Sequence, residues 1–143
     1  MQSMDCQLCF SKEESLDHIM GDCSTSRLVA AFMYRWVQWW PIKEVSAHSI
    51  WTALCNDDSD KEGSRIDVKK VIGAAYFWTM WRTRNDKVFS GKLARDKELF
   101  ENIRFLAFEW IRNRSKFGKV MTWDLWICNP FSIVNLCTSL ATR

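Results

Sequence analysis

The chain has 143 residues, is 48% hydrophobic and carries a formal net charge of +3, enough apolar content for a packed core and too little charge bias for a disordered polyion. Its longest apolar runs are far too short to cross a bilayer, and residues 1–10 lack the basic start and apolar run of a secretory leader, so neither a membrane nor an oxidising compartment is expected. Nine Trp and nine Phe point to a helical core filled by a few large side chains, or to association if some of them stay exposed.

Near the N-terminus, Cys6, Cys9, His18 and Cys23 form the pattern Cys-x2-Cys-x8-His-x4-Cys. Two Cys two residues apart can grip one ion from a tight turn, and a His and a Cys further on can complete a tetrahedron of soft sulfur and nitrogen donors, which suits zinc. With four protein ligands no coordination position stays open for water, so one structural zinc is expected and no zinc catalysis. Ser11 and Glu14 match the Ser-x-x-Glu capping box, which predicts a short helix over 12–20 that Gly21 ends in a left-handed cap. Asp5, Glu13, Glu14, Asp17 and Asp22 face only Lys12 here, so the finger is a poor phosphate ligand by itself.

A second helix is expected to start at Ser24-Thr25-Ser26 and stop at Pro41, with Leu28, Phe32, Trp36 and Trp39 on one face. A short helix over 46–54 follows, carrying Ile50, Trp51 and Leu54. Residues 56–65 read as an acidic, solvated linker; their likeness to a calcium loop fails at Lys69, where a bidentate Glu would be required. The strongest periodicity predicts a helix over 66–89, with Val71, Ala74/Ala75, Trp78, Trp81 and Val88 as its core stripe and a buried Asn85 tied to a neighbouring backbone. Gly91 breaks it. A last long helix is expected over 96–117, striped by Leu99, Ile103, Leu106 and Trp110 and thickened by Phe100, Ala107 and Ile111, with an apolar tail from Trp123 docking on the helices. Cys55, Cys128 and Cys137 are isolated in apolar surroundings and read as buried packing residues.

The fold class that follows is mainly α: a small Cys-Cys-His-Cys finger followed by an aromatic-rich helical bundle. The organisation is 1–55 for the finger and its packing helices, 56–65 for the linker and 66–143 for a basic, Trp-rich helical region. Charge divides along the same line. Residues 1–63 hold five Lys/Arg and ten Asp/Glu, whereas residues 64–143 hold fifteen and seven. The basic half offers Arg82, Arg84, Lys87, Arg104, Arg112 and Arg114 as contacts for RNA or DNA. The alternative partner is a protein or a second copy of the chain, met through exposed aromatics. Only two His and no paired acid–base motif argue against an enzyme and against a small-molecule substrate.

The finger spacing, the Glu14-Ser15-Leu16-Asp17-His18 stretch and the run from Trp78 to Phe89, with Trp81, Arg84, Asn85 and Phe89 spaced as Trp-x-x-Arg-Asn-x-x-x-Phe, together resemble the reverse-transcriptase zinc-binding domain of plant LINE-type (non-LTR) retrotransposons. The closing Trp126-Ile127-Cys128-Asn129-Pro130 is similar to the tails of such reading frames. The resemblance implies zinc ligation by Cys6, Cys9, His18 and Cys23, no catalytic residue, and a role in handling template RNA or target DNA inside the cell, in nucleus or cytoplasm. No polymerase Tyr-x-Asp-Asp motif is present, and Asp57-Asp58 lies in a polar stretch without a flanking aromatic. A fragment of such an element, or a free-standing gene built from one, is therefore expected.

Overall fold

The computed structural model describes residues 5–38, 40–55, 63–114 and 121–131; the side chains of 63–67 and of Arg114 lie outside the description. Trp39, Cys137 and most of the expected linker fall outside it. Among the described residues the chain is helical: a π-helical turn at His18–Asp22, then α1 (Ser24–Val37), α2 (Ala47–Cys55), α3 (Gly63–Ser90), α4 (Asp96–Arg114) and α5 (Trp123–Cys128). An isolated bridge between Asp5 and Glu13 is the sole β-type pairing there. None of these helices is long and apolar enough to cross a membrane.

Local chemistry sets the helix ends. Ser46 caps α2: its hydroxyl accepts from Ser49 N at 3.0 Å, and the Ser49 hydroxyl lies 3.3 Å from Ser46 N, a reciprocal capping box. Asp17 Oδ1 accepts from Ala47 N at 2.9 Å and so ties the same helix start to the finger. Gly91 closes α3 at φ 71, donating its N–H to Lys87 O as a left-handed cap. The short connection 91–95 then returns the chain antiparallel as α4. α1 ends earlier than expected, at Val37, because Gln38 takes the left-handed position (φ 65) and donates its N–H to Tyr34 O; Pro41 lies beyond that turn.

α3 and α4 form the central pair, α1 packs on α4, α2 on α3, and the π-turn wedges against α1, α2 and α3. One continuous core runs from Cys6, Leu8 and Ile19 of the finger through Met33, Ile72 and Met80 to Ile103 and Trp126. α4 presents the expected residues, with Leu99, Phe100, Ile103, Ala107 and Ile111 buried and Leu106 and Trp110 at the edge. Two expected faces are corrected. α1 buries Val29, Met33, Trp36 and Val37, leaving Leu28 exposed and Phe32 at the margin, stacked on Phe100 at 5.3 Å. α3 buries Val68, Ile72, Ala75, Tyr76, Thr79, Met80 and Thr83, while Trp78, Trp81 and Val88 of the expected core stripe face outward. Three helical neighbours must approach α3, and small or slim residues allow it: at Gly73 an added Cβ would stand 2.5 Å from Leu54 Cδ1.

The tail docks as expected up to Phe131. Thr122 caps α5, and Trp126 is fully buried against Trp36, ring centroids 5.3 Å apart in an edge-on arrangement. Its indole N–H donates to Arg104 O at 2.9 Å, and its own carbonyl accepts from Trp36 Nε1 at 3.1 Å, so α5 latches α4 to α1. Trp126→Ala is expected to cost about 3–5 kcal/mol, the range for deleting a buried aromatic. It should appear as a lower urea midpoint with unchanged slope. Cys128, expected to be buried, is exposed, and Cys55 is half-buried.

Candidate metal centre

The four predicted ligands meet. The donor atoms of Cys6, Cys9, His18 and Cys23 all lie within 4.8 Å of one another. The Cys6 and Cys23 sulfurs are 3.8 Å apart and Cys9 Sγ is 3.3 Å from His18 Nε2. Bond lengths of ~2.3 Å to sulfur and ~2.0 Å to nitrogen around a tetrahedral ion would give edges of roughly 3.8 and 3.5 Å. A disulfide would need ~2.05 Å. The donor set thus fits one tetrahedral, thiophilic ion.

Each ligand is placed by its own segment. The bridge between Asp5 and Glu13, with Cys6 N donating to Lys12 O at 2.8 Å, closes the loop that carries Cys6 and Cys9. Inside it the chain reverses at Phe10, a non-glycine residue at φ 59 that donates to Cys6 O, and Leu8 N points at Cys6 Sγ at 3.4 Å.

The expected helix over 12–20 begins only at Leu16 and turns π-helical from His18, and the capping box is not used. The bridge holds Glu13 extended, Ser11 Oγ turns back to Cys9 O, and Ser15 Oγ instead accepts from His18 N at 3.0 Å. The chain then takes a π-turn, closed by Cys23 N donating to His18 O at 2.7 Å. Its physical reason lies in the His-x4-Cys spacing. Residues five apart on an α-helix point ~140° away from each other, whereas a wider turn brings them to one side. Gly21 is not in the left-handed region and does not cap a helix. It lies within the π-turn, where an added Cβ would meet the Val45 backbone carbon at 2.6 Å.

Electrostatically the site brings three sulfurs together within 4.8 Å of one another. Burial opposes ionisation of Cys9, but hydrogen bonds from the Ser11 backbone, His18, Cys23 and Cys6 outweigh it and bring the thiol down to about 6. Burial is the largest influence on Cys23 and pushes it up to about 12, with the other two sulfurs adding to the rise. A divalent ion at the centre would resolve this conflict by binding all three as thiolates.

Sequence reasoning missed the groups around the ligands. Asp22 Oδ2 lies 3.5 Å from His18 Nδ1, the ring nitrogen opposite the one facing Cys9, and is also bonded to Lys12 Nζ at 2.9 Å. Arg27 adds a contact to the other carboxylate oxygen at 3.3 Å. Lys12 first, then His18, hold the Asp22 carboxyl below the usual carboxylate range. A carboxylate on the far nitrogen fixes the imidazole tautomer and keeps Nε2 turned toward the three sulfurs, as a metal-binding His would need. The His18-x3-Asp22 spacing, one helical turn, was the available signal. Asp22→Asn is expected to weaken metal binding roughly 10- to 100-fold, measured by competition with a colorimetric chelator.

The second missed element is a clasp. Glu14 Oε1 accepts from Arg84 Nη2 at 2.7 Å and Nε at 3.0 Å, while Glu14 Oε2 accepts from Gln7 N at 3.2 Å. The pair is well shielded, with Arg84 18% and Glu14 10% exposed. Asn85 is only half-buried; its Oδ1 accepts from Arg84 Nη1 at 3.1 Å and steadies the guanidinium instead of tying α3 to a neighbouring backbone. Tyr76 adds a third tie, its hydroxyl donating to Met20 O, and burial pushes its phenol up so that it remains a donor.

The six cations expected to meet nucleic acid have different surroundings. Arg82 is exposed on α3 and Arg112 on α4, the latter with its guanidinium 5.9 Å from the Phe108 ring. Lys87 sits half-buried with its ammonium 5.7 Å from the Phe10 ring. Arg84 is engaged by Glu14, and Arg104 by Glu101 at 2.8 Å and by the Phe100 ring at 4.6 Å. The Arg114 side chain lies outside the described residues. Comparison with protein families, curated proteins and solved structures finds no match for this chain.

Proposed function

We propose that the protein is a non-catalytic module held by one structural zinc ion, derived from a retrotransposon reverse transcriptase, that binds RNA or DNA through its basic helices. The observation that carries the zinc is the convergence of three sulfurs and one imidazole nitrogen within 4.8 Å. Zinc is favoured over other divalent ions because three thiolates and one imidazole in a closed tetrahedron match its softness and its lack of geometric demand. Four protein donors leave no site for a reacting water, which supports a structural role. Lys12 and Arg27, beside the site through Asp22, offset the negative charge that three thiolates on a divalent ion carry. A sulfur separation of 3.8 Å between Cys6 and Cys23 is that of shared metal ligands and not of a disulfide, which supports a reducing compartment, nucleus or cytoplasm.

The retrotransposon origin rests on the resemblance of the two separate stretches, and their meeting in space supports treating them as one unit. Glu14 belongs to the first and Arg84 and Asn85 to the second, and together they form the clasp. Nucleic-acid binding rests on the basic C-terminal half and on exposed Arg82 and Arg112. The test pairs elemental analysis with an electrophoretic shift. One zinc per chain and retardation of single-stranded RNA or DNA that weakens steeply with added salt are expected. Metal-free protein that keeps its fold, or no retardation at low salt, would refute the corresponding half of the reading.

A further inference from the structure

The outer face of α3 carries an apolar surface that the fold leaves in water. Trp78 is 52%, Trp81 40% and Phe89 80% exposed. Trp78 and Trp81 are three residues apart on one helix, which puts their side chains next to each other on its surface, Cβ atoms ~5–6 Å apart. Trp78 makes no ring contact among the described residues, and Trp81 has the Arg84 guanidinium 5.5 Å from its ring. Leaving large aromatics half in water forgoes stabilisation that burial would supply, so such a patch marks a binding surface.

Charge selects the occupant. Trp78 borders a groove of about 780 Å³ between α3 and α4, whose walls also hold Arg82 and Lys92. Arg82 stands one turn after Trp78, and Lys70 two turns before it on the same outward side. None of Lys70, Arg82 and Lys92 is in an ion pair among the described residues. Asp86 and Glu98 are the acidic groups on the groove walls. Protein interfaces deplete Lys from their centres, and here Lys70 and Lys92 flank the indoles, whereas nucleic-acid surfaces interleave such cations with aromatic platforms. Indoles on a convex helix cannot reach bases stacked inside a duplex, but unpaired bases offer free faces.

We infer that Trp78 and Trp81 form a stacking platform for unpaired bases of a single-stranded nucleic acid, with Arg82, Lys70 and Lys92 on its phosphates. This rests on the nucleic-acid reading above and specifies its strand class and contact residues. The test is fluorescence anisotropy with a labelled unstructured single-stranded RNA and a matched duplex at low salt. The unmodified protein should prefer the single strand. Trp78→Ala with Trp81→Ala should weaken single-strand binding roughly 10- to 100-fold with the salt dependence unchanged. Trp78→Phe with Trp81→Phe should restore most of it. Arg82→Ala should lower the salt slope by about 1. Because Trp81 also lies against the Arg84 guanidinium, Trp78→Ala alone serves as the structural control: it should match the parent in metal content and thermal midpoint while still weakening single-strand binding.

If the double alanine variant binds like the parent, or the duplex is preferred, the inference falls while the broader reading stands. If the parent binds no strand at low salt, the broader reading falls and takes this one with it. Concentration-dependent self-association that the double alanine variant abolishes would assign the face to a second copy of the chain and overturn the inference.

Discussion

Chelation of the metal, or Cys23→Ser, is expected to collapse the finger and loosen the whole bundle, not only the first twenty residues. Cys23 is at once one of the four converging donors, the N-cap residue of α1 and the acceptor of the first α1 bond, from Arg27 N at 2.9 Å. Without an ion, burial resists the charge on Cys23 while Cys9 is drawn toward it, so the four donors have no reason to stay converged. Leu8, Ile19 and Met20 would then leave a core they share with α1 and α3. Structural zinc in isolated fingers contributes about 10–16 kcal/mol. Even a loss of about 5 kcal/mol here would lower the midpoint by roughly 15 °C. Thermal dichroism with and without chelator, alongside near-ultraviolet Trp signals, measures it. An unchanged midpoint after complete metal removal would end the metal interpretation.

Arg84→Ala is expected to destabilise the protein by roughly 3–5 kcal/mol, the cost of leaving one member of a shielded ion pair unpaired. The guanidinium places two nitrogens on one Glu14 oxygen, a geometry that Lys cannot copy, so Arg84→Lys should recover little. Glu14→Gln with Arg84→Ala should cost less than the sum of the single changes, because the isolated charge is then removed. The effect should be nearly salt-independent, since the pair is hidden from counterions. Metal affinity should fall as well, because Glu14 also accepts from Gln7 N within the Cys6-to-Cys9 turn. Urea titration of the parent and the four variants decides this; a change within about 0.5 kcal/mol for Arg84→Ala would show the clasp to be an ordinary surface contact.

The clasp also explains why the basic half could not be read as a list of phosphate ligands. Arg84 and Arg104 look as free in sequence as Arg82 and Arg112 do. Their partners are an acid 70 residues away in one case and, in the other, Glu101 one turn back on the same helix together with the rings of Phe100 and Trp123. Charge composition reports how many cations exist, and packing decides which of them reach solvent.

Much of the molecule was legible locally. Cys6, Cys9, His18 and Cys23 lie within eighteen residues, so their spacing alone restricts the geometry, and the ion they fit follows from donor chemistry. Ser46, Gly91 and the α4 stripe were readable because capping, left-handed turns and a 3.6-residue period act within one or two turns of chain. The faces of α1 and α3 were not. α3 is apolar or aromatic around much of its circumference, so spacings of three and four could be traced through Trp78 and Trp81 as readily as through the packed residues. The packed face keeps Ala75 of that stripe but otherwise uses Ile72, Tyr76, Thr79, Met80 and Thr83, with Gly73 giving Leu54 room to approach. The π-turn likewise needed the ligands' positions in space and the Val45 backbone against Gly21. What the residues alone determined is thus the converging donor set, the helical class and several helix ends, among them the start of α4 and both ends of α2, all governed by short-range chemistry. What only the tertiary structure decided is which face of each helix is buried, which cations are engaged and which tryptophans remain in water, because those depend on contacts between segments far apart in the chain.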